Sequence, residues 1–385
     1  MLNFDFYNPT RILFGKGKIA EINQYVPADA RVLVLMGGNS AKNNGTLAEV
    51  KVALGKHYVE EFSGIEPNPS YETLMEAVAQ IKASKLDYLL AVGGGSVIDG
   101  TKFVAAAVYA EGDAWQILTT RGANVKKALP YGTVLTLPAT GSEMNDGAVI
   151  TREAEKDKLY FTSEKVFPQF SVLDPTKSYT LPTRQLANGV VDAYTHVMEQ
   201  YLTYPVGAKV QDRFAEGLLQ TLIEIGPQLL ENPHDYELQA NLMWTATLAL
   251  NGLIGAGVPS DWATHMIGHE VTALHGLDHA QTLAIILPSM LSLRRDSKHA
   301  KLLQYAERVW NIREGSEEQR IDAAISKTRD FFESMQVKTR LSAYQITKEH
   351  IPALLAQLEK HGMVKLGEHG DVTIDISRTI LEISI

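Results

Sequence analysis

Cysteine is absent from this chain of 385 residues. Disulfides, iron–sulfur ligation and thiolate zinc sites are therefore excluded, and any metal must be held by His, Asp or Glu. Such a donor set points to chemistry rather than to a Cys-rich structural module. Long apolar runs are missing as well; none approaches the roughly 18–20 residues a helix needs to cross a bilayer. The N-terminal MLNFDFYNPTRILFG has no basic patch, apolar stretch and small-residue cleavage site of the kind a signal peptide carries, so a cytoplasmic location is expected. Positive charge is in deficit: 36 Lys and Arg stand against 45 Asp and Glu, for a net charge of −9. That balance argues against a nucleic-acid or anionic-membrane surface. What is present is ordinary globular composition, 45% hydrophobic and 21% charged, in a chain long enough for two cores.

Up to about residue 180 the chain alternates short β-rich runs with amphipathic helical stretches, the pattern of an α/β layer with a largely parallel sheet. RVLVLM (Arg31–Met36) reads as a buried strand, with a helix following from near Gly45. HYVEEF is a second strand, stopped by the prolines of EPNPS. YETLMEAVAQIKAS is a helix leading into LDYLLAVGGGSVIDGTKFVAAA, which reads as strand, glycine turn and helix. GTVLTLPATGSEMND repeats the strand and small-residue turn. Beyond TLPTRQ, segments such as DRFAEGLLQTLIEIGPQLL and HAKLLQYAERVWNI keep only helical periodicity. The expected architecture is a Rossmann-like α/β domain over residues 1–182 followed by an all-helical domain over 183–385.

Two glycine turns follow predicted strands. In LLAVGGGSVID, Gly93, Gly94 and Gly95 let the backbone turn sharply and let an anion approach the amides of a helix starting near Ser96. A tight connection capped by Ser96 and Asp99 accounts for the same letters. The third glycine of the dinucleotide fingerprint G-x-G-x-x-G falls on Ile98, so phosphate binding is supported without the usual fingerprint. The other turn carries Gly37, Gly38, Asn39 and Ser40, then Lys42. A carboxylate there would accept hydrogen bonds from the ribose of NAD; small polar groups and a cation instead suit a 2′-phosphate, and an exposed loop reads alike.

Four of the 11 histidines fall in SDWATHMIGHEVTALHGLDHAQT: His265, His269, His275 and His279. His265 and His269 are one helical turn apart, as are Asp192 and His196 in ANGVVDAYTHVMEQYL. A lone pair at that spacing is ordinarily a solvated face or a core contact. The density of these groups favours a metal, while spacing alone does not choose among the imidazoles.

GGGSVIDGTK, PATGSE, GVVDAYTH and THMIGHEVTALHGLDHAQTLAIILP, in this order, resemble the iron-dependent (group III) alcohol dehydrogenase family from near residue 10 to the helical C-terminus. EPNPSYETLM and GLIGAGVPSDWATHM are similar to its bacterial NADPH-dependent aldehyde reductase and butanol dehydrogenase subgroup. The resemblance implies metal ligands at Asp192, His196, His265 and His279, with zinc or iron as the divalent ion. It implies a part for His269 in proton transfer or substrate positioning, and a structural state for His275. It implies cofactor contacts at Gly93–Ser96 and Asp99, at Thr136, Thr140 and Ser142, and at Lys158. The family acid that selects NAD falls at about Gly38, which adds weight to NADP(H), and TLPATGSE departs from the commoner TTAGTGSE. A homodimer acting on small aldehydes and alcohols is the implied assembly. The same two-domain plan is similar to dehydroquinate synthase, a lyase with a phosphorylated substrate. Segments 188–200 and 250–282 contain no Lys or Arg, which argues for a neutral substrate instead.

Overall fold

The computed structural model describes residues 1–385, which divide into two compact units. One comprises residues 7–182 with 233–247; the other comprises residues 1–6, 183–232 and 248–385. The change at 182/183 lies at TLPTRQ, while two short pieces depart from a division into consecutive halves. Residues 1–6 group with the helical unit, and 233–247, helical by pattern, group with the α/β unit.

In the α/β unit the elements run β1 (Arg11–Phe14), β2 (Arg31–Met36), α1 (Ser40–Asn43), α2 (Thr46–Leu54), β3 (Tyr58–Ser63), α3 (Tyr71–Ser84), β4 (Tyr88–Gly94), α4 (Gly95–Ala107) and α5 (Gln116–Thr119). They continue through β5 (Tyr131–Leu137), β6 (Gly147–Arg152), β7 (Asp157–Thr162) and β8 (Phe170–Leu173). Six strands form one parallel sheet in the order β1-β8-β5-β4-β2-β3. The apolar runs of β2 and β4 are buried on both faces, as central parallel strands must be. One face packs Leu33, Leu35, Leu89 and Ala91 against α3 and α4; the other packs Val32, Val34, Leu90 and Val92 against Ile22, Val50 and Leu54. β6 and β7 pair antiparallel as a separate hairpin. Neither this hairpin nor β1 and β8 is among the strands expected from the sequence. RILF and FSVL are four residues each, too short to display a period.

In the helical unit come α6 (Thr183–Tyr201), α7 (Lys209–Glu231), α8 (Tyr236–Ala249, most of which groups with the α/β unit), α9 (Ala263–His275) and α10 (His279–Leu293). α11 (His299–Arg308), α12 (Glu317–Ser334), α13 (Ile351–Lys360) and α14 (Ile374–Ile383) complete it. Ala263, Ile267 and Val271 of α9, Ile285 and Met290 of α10, Leu354 and Leu358 of α13 and Ile380 of α14 form one core. No helix is long and apolar enough to cross a membrane.

Candidate functional site

α6 is buried along nearly its whole length from Leu186 to Tyr201, so Asp192 and His196 face inward together. α9 brings His265 in its first turn, then ends at Gly276, whose left-handed φ of 70° reverses the chain. Gln281 accepts from the backbone N–H of Asp278 at 3.0 Å, and this cap makes His279 the first residue of α10. One oxygen of Asp192 and one nitrogen each of His196, His265 and His279 thereby lie within 4.8 Å of one another. Asp192 Oδ1 stands 3.5 Å from His196 Nδ1 and 3.7 Å from His279 Nε2. Donors about 2.0–2.2 Å from a tetrahedral ion stand about 3.3–3.6 Å apart, so this spacing fits one divalent metal. The His196 and His265 rings stack at 4.6 Å, and those of His265 and His279 lie 5.1 Å apart.

Burial, with His265 adding to it, holds the His196 imidazole well below the usual histidine range. It is therefore neutral, the state a metal ligand needs. Asp192, His196 and His265 are buried, while the His279 side chain keeps 23% of its surface exposed and marks the open side. His269 lies outside the four-donor group, one turn beyond His265, its ring 5.2 Å from that of His279. His275 also lies outside, packed edge-on against His350 at 5.0 Å. Trp262 stands against His265 at 5.3 Å. Glu199, absent from the sequence reading, pairs with Nδ1 of His265 and accepts from the backbone N–H of Thr264 at 2.7 Å. Its signal was in the letters: Asp192, His196 and Glu199 fall at i, i+4 and i+7 of one helix face.

The glycine turns meet at a reversal of strand order. β3 lies on one side of β2 and β4 on the other, and Met36 and Val92 are register partners. Gly37 and Gly93 follow them directly, at the carboxyl ends of adjacent strands, where open α/β sheets take ligands. A Cβ on Gly93 would lie 2.5 Å from Val97, one on Gly94 would lie 2.9 Å from Leu137, and one on Gly95 would strike Thr140. These three positions have room only for glycine, which leaves the amides at the start of α4 bare for an anion. The alternative cap of Ser96 and Asp99 does not form. α4 begins one residue earlier with Gly94 as its cap. Ser96 Oγ accepts from Asn68 N at 3.3 Å, and the Asp99 carboxylate accepts from Ser142 Oγ at 2.5 Å and Val149 N at 2.9 Å. Gly38, Asn39 and Ser40 are exposed, with Asn39 preceding α1.

The second turn is tied to the first from beneath. Lys102, fully buried on α4, donates to Ser142 Oγ at 2.8 Å, Asn145 Oδ1 at 2.7 Å and the carbonyl of Gly147 at 2.7 Å. Burial pulls its ammonium down to about 8, and burial likewise pushes the Asp99 carboxyl up against the pull of Lys102. Ser142 and Asp99 thus have their side-chain polar atoms engaged inside the unit, whereas Thr136 and Thr140 are half-buried. Lys158 on β7 donates to Asn68 Oδ1 at 2.9 Å, which places it one residue's contact away from Ser96.

Comparison with known proteins gives these sites a context. Residues 9–175 match the family description "Iron-containing alcohol dehydrogenase", and residues 186–365 match "Fe-containing alcohol dehydrogenase family, C-terminal". The NADPH-dependent aldehyde reductase YqhD of Escherichia coli (strain K12) is 62% identical over 384 residues, 99% of each chain. The probable NADH-dependent butanol dehydrogenase 1 of Bacillus subtilis (strain 168) is 40% identical over 94% of this chain and 95% of its own. The crystal structure of E. coli K-12 YqhD superposes with a TM-score of 0.99 at 60% identity, covering 100% of this chain and 99% of that one. The chain belongs to the iron-containing alcohol dehydrogenase family.

Proposed function

We propose that the protein is a metal-dependent, NADPH-linked reductase of short- to medium-chain aldehydes, reversible as an alcohol dehydrogenase. The observation that carries this is the convergence of Asp192, His196, His265 and His279 within 4.8 Å in a chain of this family. The 62% identity to an NADPH-dependent aldehyde reductase supports the cofactor and substrate class.

Those four residues would hold a divalent ion, zinc or iron. The turns at 37–40, 93–99 and 136–142, with Lys158, would hold NADPH, and Asn39, Ser40 and Lys42 would face its 2′-phosphate. When bound, the ion supplies Lewis acidity at a carbonyl oxygen and NADPH supplies hydride. One carboxylate among three neutral imidazoles leaves a divalent site with excess positive charge, suited to negative charge developing on substrate. The proton for the product oxygen would come through water, the ribose hydroxyl or the imidazole of His269, whose ring lies 5.2 Å from that of His279. The absence of Lys and Arg from 188–200 and 250–282 fits a neutral substrate. A cytoplasmic homodimer is the assembly proposed.

The test is the loss of NADPH absorbance when butyraldehyde is added to zinc- or iron-loaded protein. Turnover with NADH alone would refute the cofactor assignment and keep the class; no turnover with either would sink the proposal. His279→Ala should lose both bound metal and turnover. His269→Ala should keep its metal and lose roughly 10²–10⁴-fold in kcat; metal loss there would make His269 a ligand.

A further inference from the structure

His265 sits in the first turn of α9, where backbone N–H groups have no intrahelical acceptor. Two carboxylates from outside the helix meet that turn. Asp261 Oδ1 accepts from Ala263 N at 2.8 Å. Glu199 accepts from Thr264 N at 2.7 Å through one oxygen; through the other it accepts from His265 N at 3.2 Å and pairs with the His265 ring at Nδ1. The backbone N–H of Asp261 donates to the carbonyl of Glu199 at 2.8 Å, so the two acids are locked together. Behind them the buried Lys298 bonds Asp261 at 3.0 Å, Glu368 at 2.7 Å and the carbonyl of Leu202 at 2.6 Å. Glu199, Asp261 and Lys298 are all buried, so no solvent competes for these bonds.

We propose that Glu199 is a positioning residue of the metal centre: its carboxylate holds His265 as the Nδ1–H tautomer and aims Nε2 at the ion. The proposal rests on the metal-binding role given above to His265. A ligating imidazole that donates its other N–H to a carboxylate has its ring orientation fixed and its basicity raised. Glu199 serves three N–H donors with two oxygens, both acting as acceptors. A glutamine at this position has one acceptor oxygen, so either the cap of α9 or the hold on the ring must be given up.

The experiment compares Glu199→Gln with wild type in zinc binding, by competition with a chromophoric chelator, and in the visible spectrum of the cobalt(II)-substituted protein. The expected result is roughly 10- to 100-fold weaker zinc binding and altered cobalt bands, with the metal-free variant still folded. Zinc affinity and cobalt bands equal to wild type in a folded variant overturn the proposal. Should the variant not fold, the ring ¹⁵N resonances of histidine-labelled, zinc-loaded wild type decide. His265 as Nδ1–H supports the proposal, and His265 as Nε2–H overturns it. Wild type that binds neither zinc nor iron(II) would sink the metal reading and this proposal with it, an outcome distinct from a variant that matches wild type.

Discussion

At residue scale, the proposed preference for NADPH turns on Gly38. A Cβ on Gly38 would meet nothing within 4 Å, and its φ is not in the left-handed region, so a side chain there costs neither space nor backbone strain. Gly38→Asp should place a carboxylate where the 2′-phosphate is proposed to lie. The ratio of kcat/KM for NADPH to that for NADH should fall by at least about ten-fold, ~1.4 kcal/mol. An unchanged ratio from steady-state kinetics would move the ribose away from this turn. The same scale shows why letters alone left the histidines unresolved. His275 and His279 flank one short loop four residues apart, and Gly276 ends α9 between them, with His275 packed toward His350 and His279 in the group with Asp192. That reversal is a backbone event, visible in sequence only as one ambiguous glycine. Asp192 and His196 were legible because one buried helix carries both.

At the scale of elements, the turn after β5 is anchored to α8 by a carboxyl group. Glu143 is buried, and Thr247 of α8 donates to its Oε1 at 2.5 Å. Burial pushes the Glu143 carboxyl above its ordinary range, outweighing the hydrogen bond from Thr247. A folded-state value raised above the unfolded one contributes stability that is full at acid pH and lost as pH rises toward the folded value. Glu143→Gln keeps the Oε1 acceptor and removes the proton dependence. Its melting temperature relative to wild type should therefore climb from about pH 4.5 upward, by the equivalent of ~1.4 kcal/mol per pH unit until the folded value is passed. A difference flat with pH would mean that Glu143 stays ionised in the folded protein. The elements themselves differ in how plainly they announced themselves. β2 and β4 are long apolar runs, and α3 appears at the limits its pattern predicted. β1 and β8 borrow their stability from register with a neighbour, a property of the pairing rather than of either segment.

For the whole molecule, the N-terminal segment exposes Leu2, Phe4 and Phe6 at 48%, 50% and 45% of their surfaces, alternating with polar residues. In the other unit, β1 is an edge strand, and Phe14 and Trp244 line a groove of about 280 Å³ beside it. Aromatic surface and an open strand edge on one protein are features that a second copy would cover. Sedimentation should find a dimer, and the double substitution Phe4→Ser with Phe6→Ser should shift it toward monomer at micromolar concentration; a monomeric wild type would refute the homodimer. Most of α8 is the other feature of this scale, because it completes a unit whose remaining residues ended at Pro182. Met243 fills part of the sheet core there, and Thr247 supplies the partner of Glu143. Residues 233–247 must therefore be synthesised before the sheet unit has its full core. A chain that looks like two modules in series is ordered by α8 so that the first cannot finish until the second has begun, and a stall in translation between 182 and 247 leaves the sheet unit without its last helix.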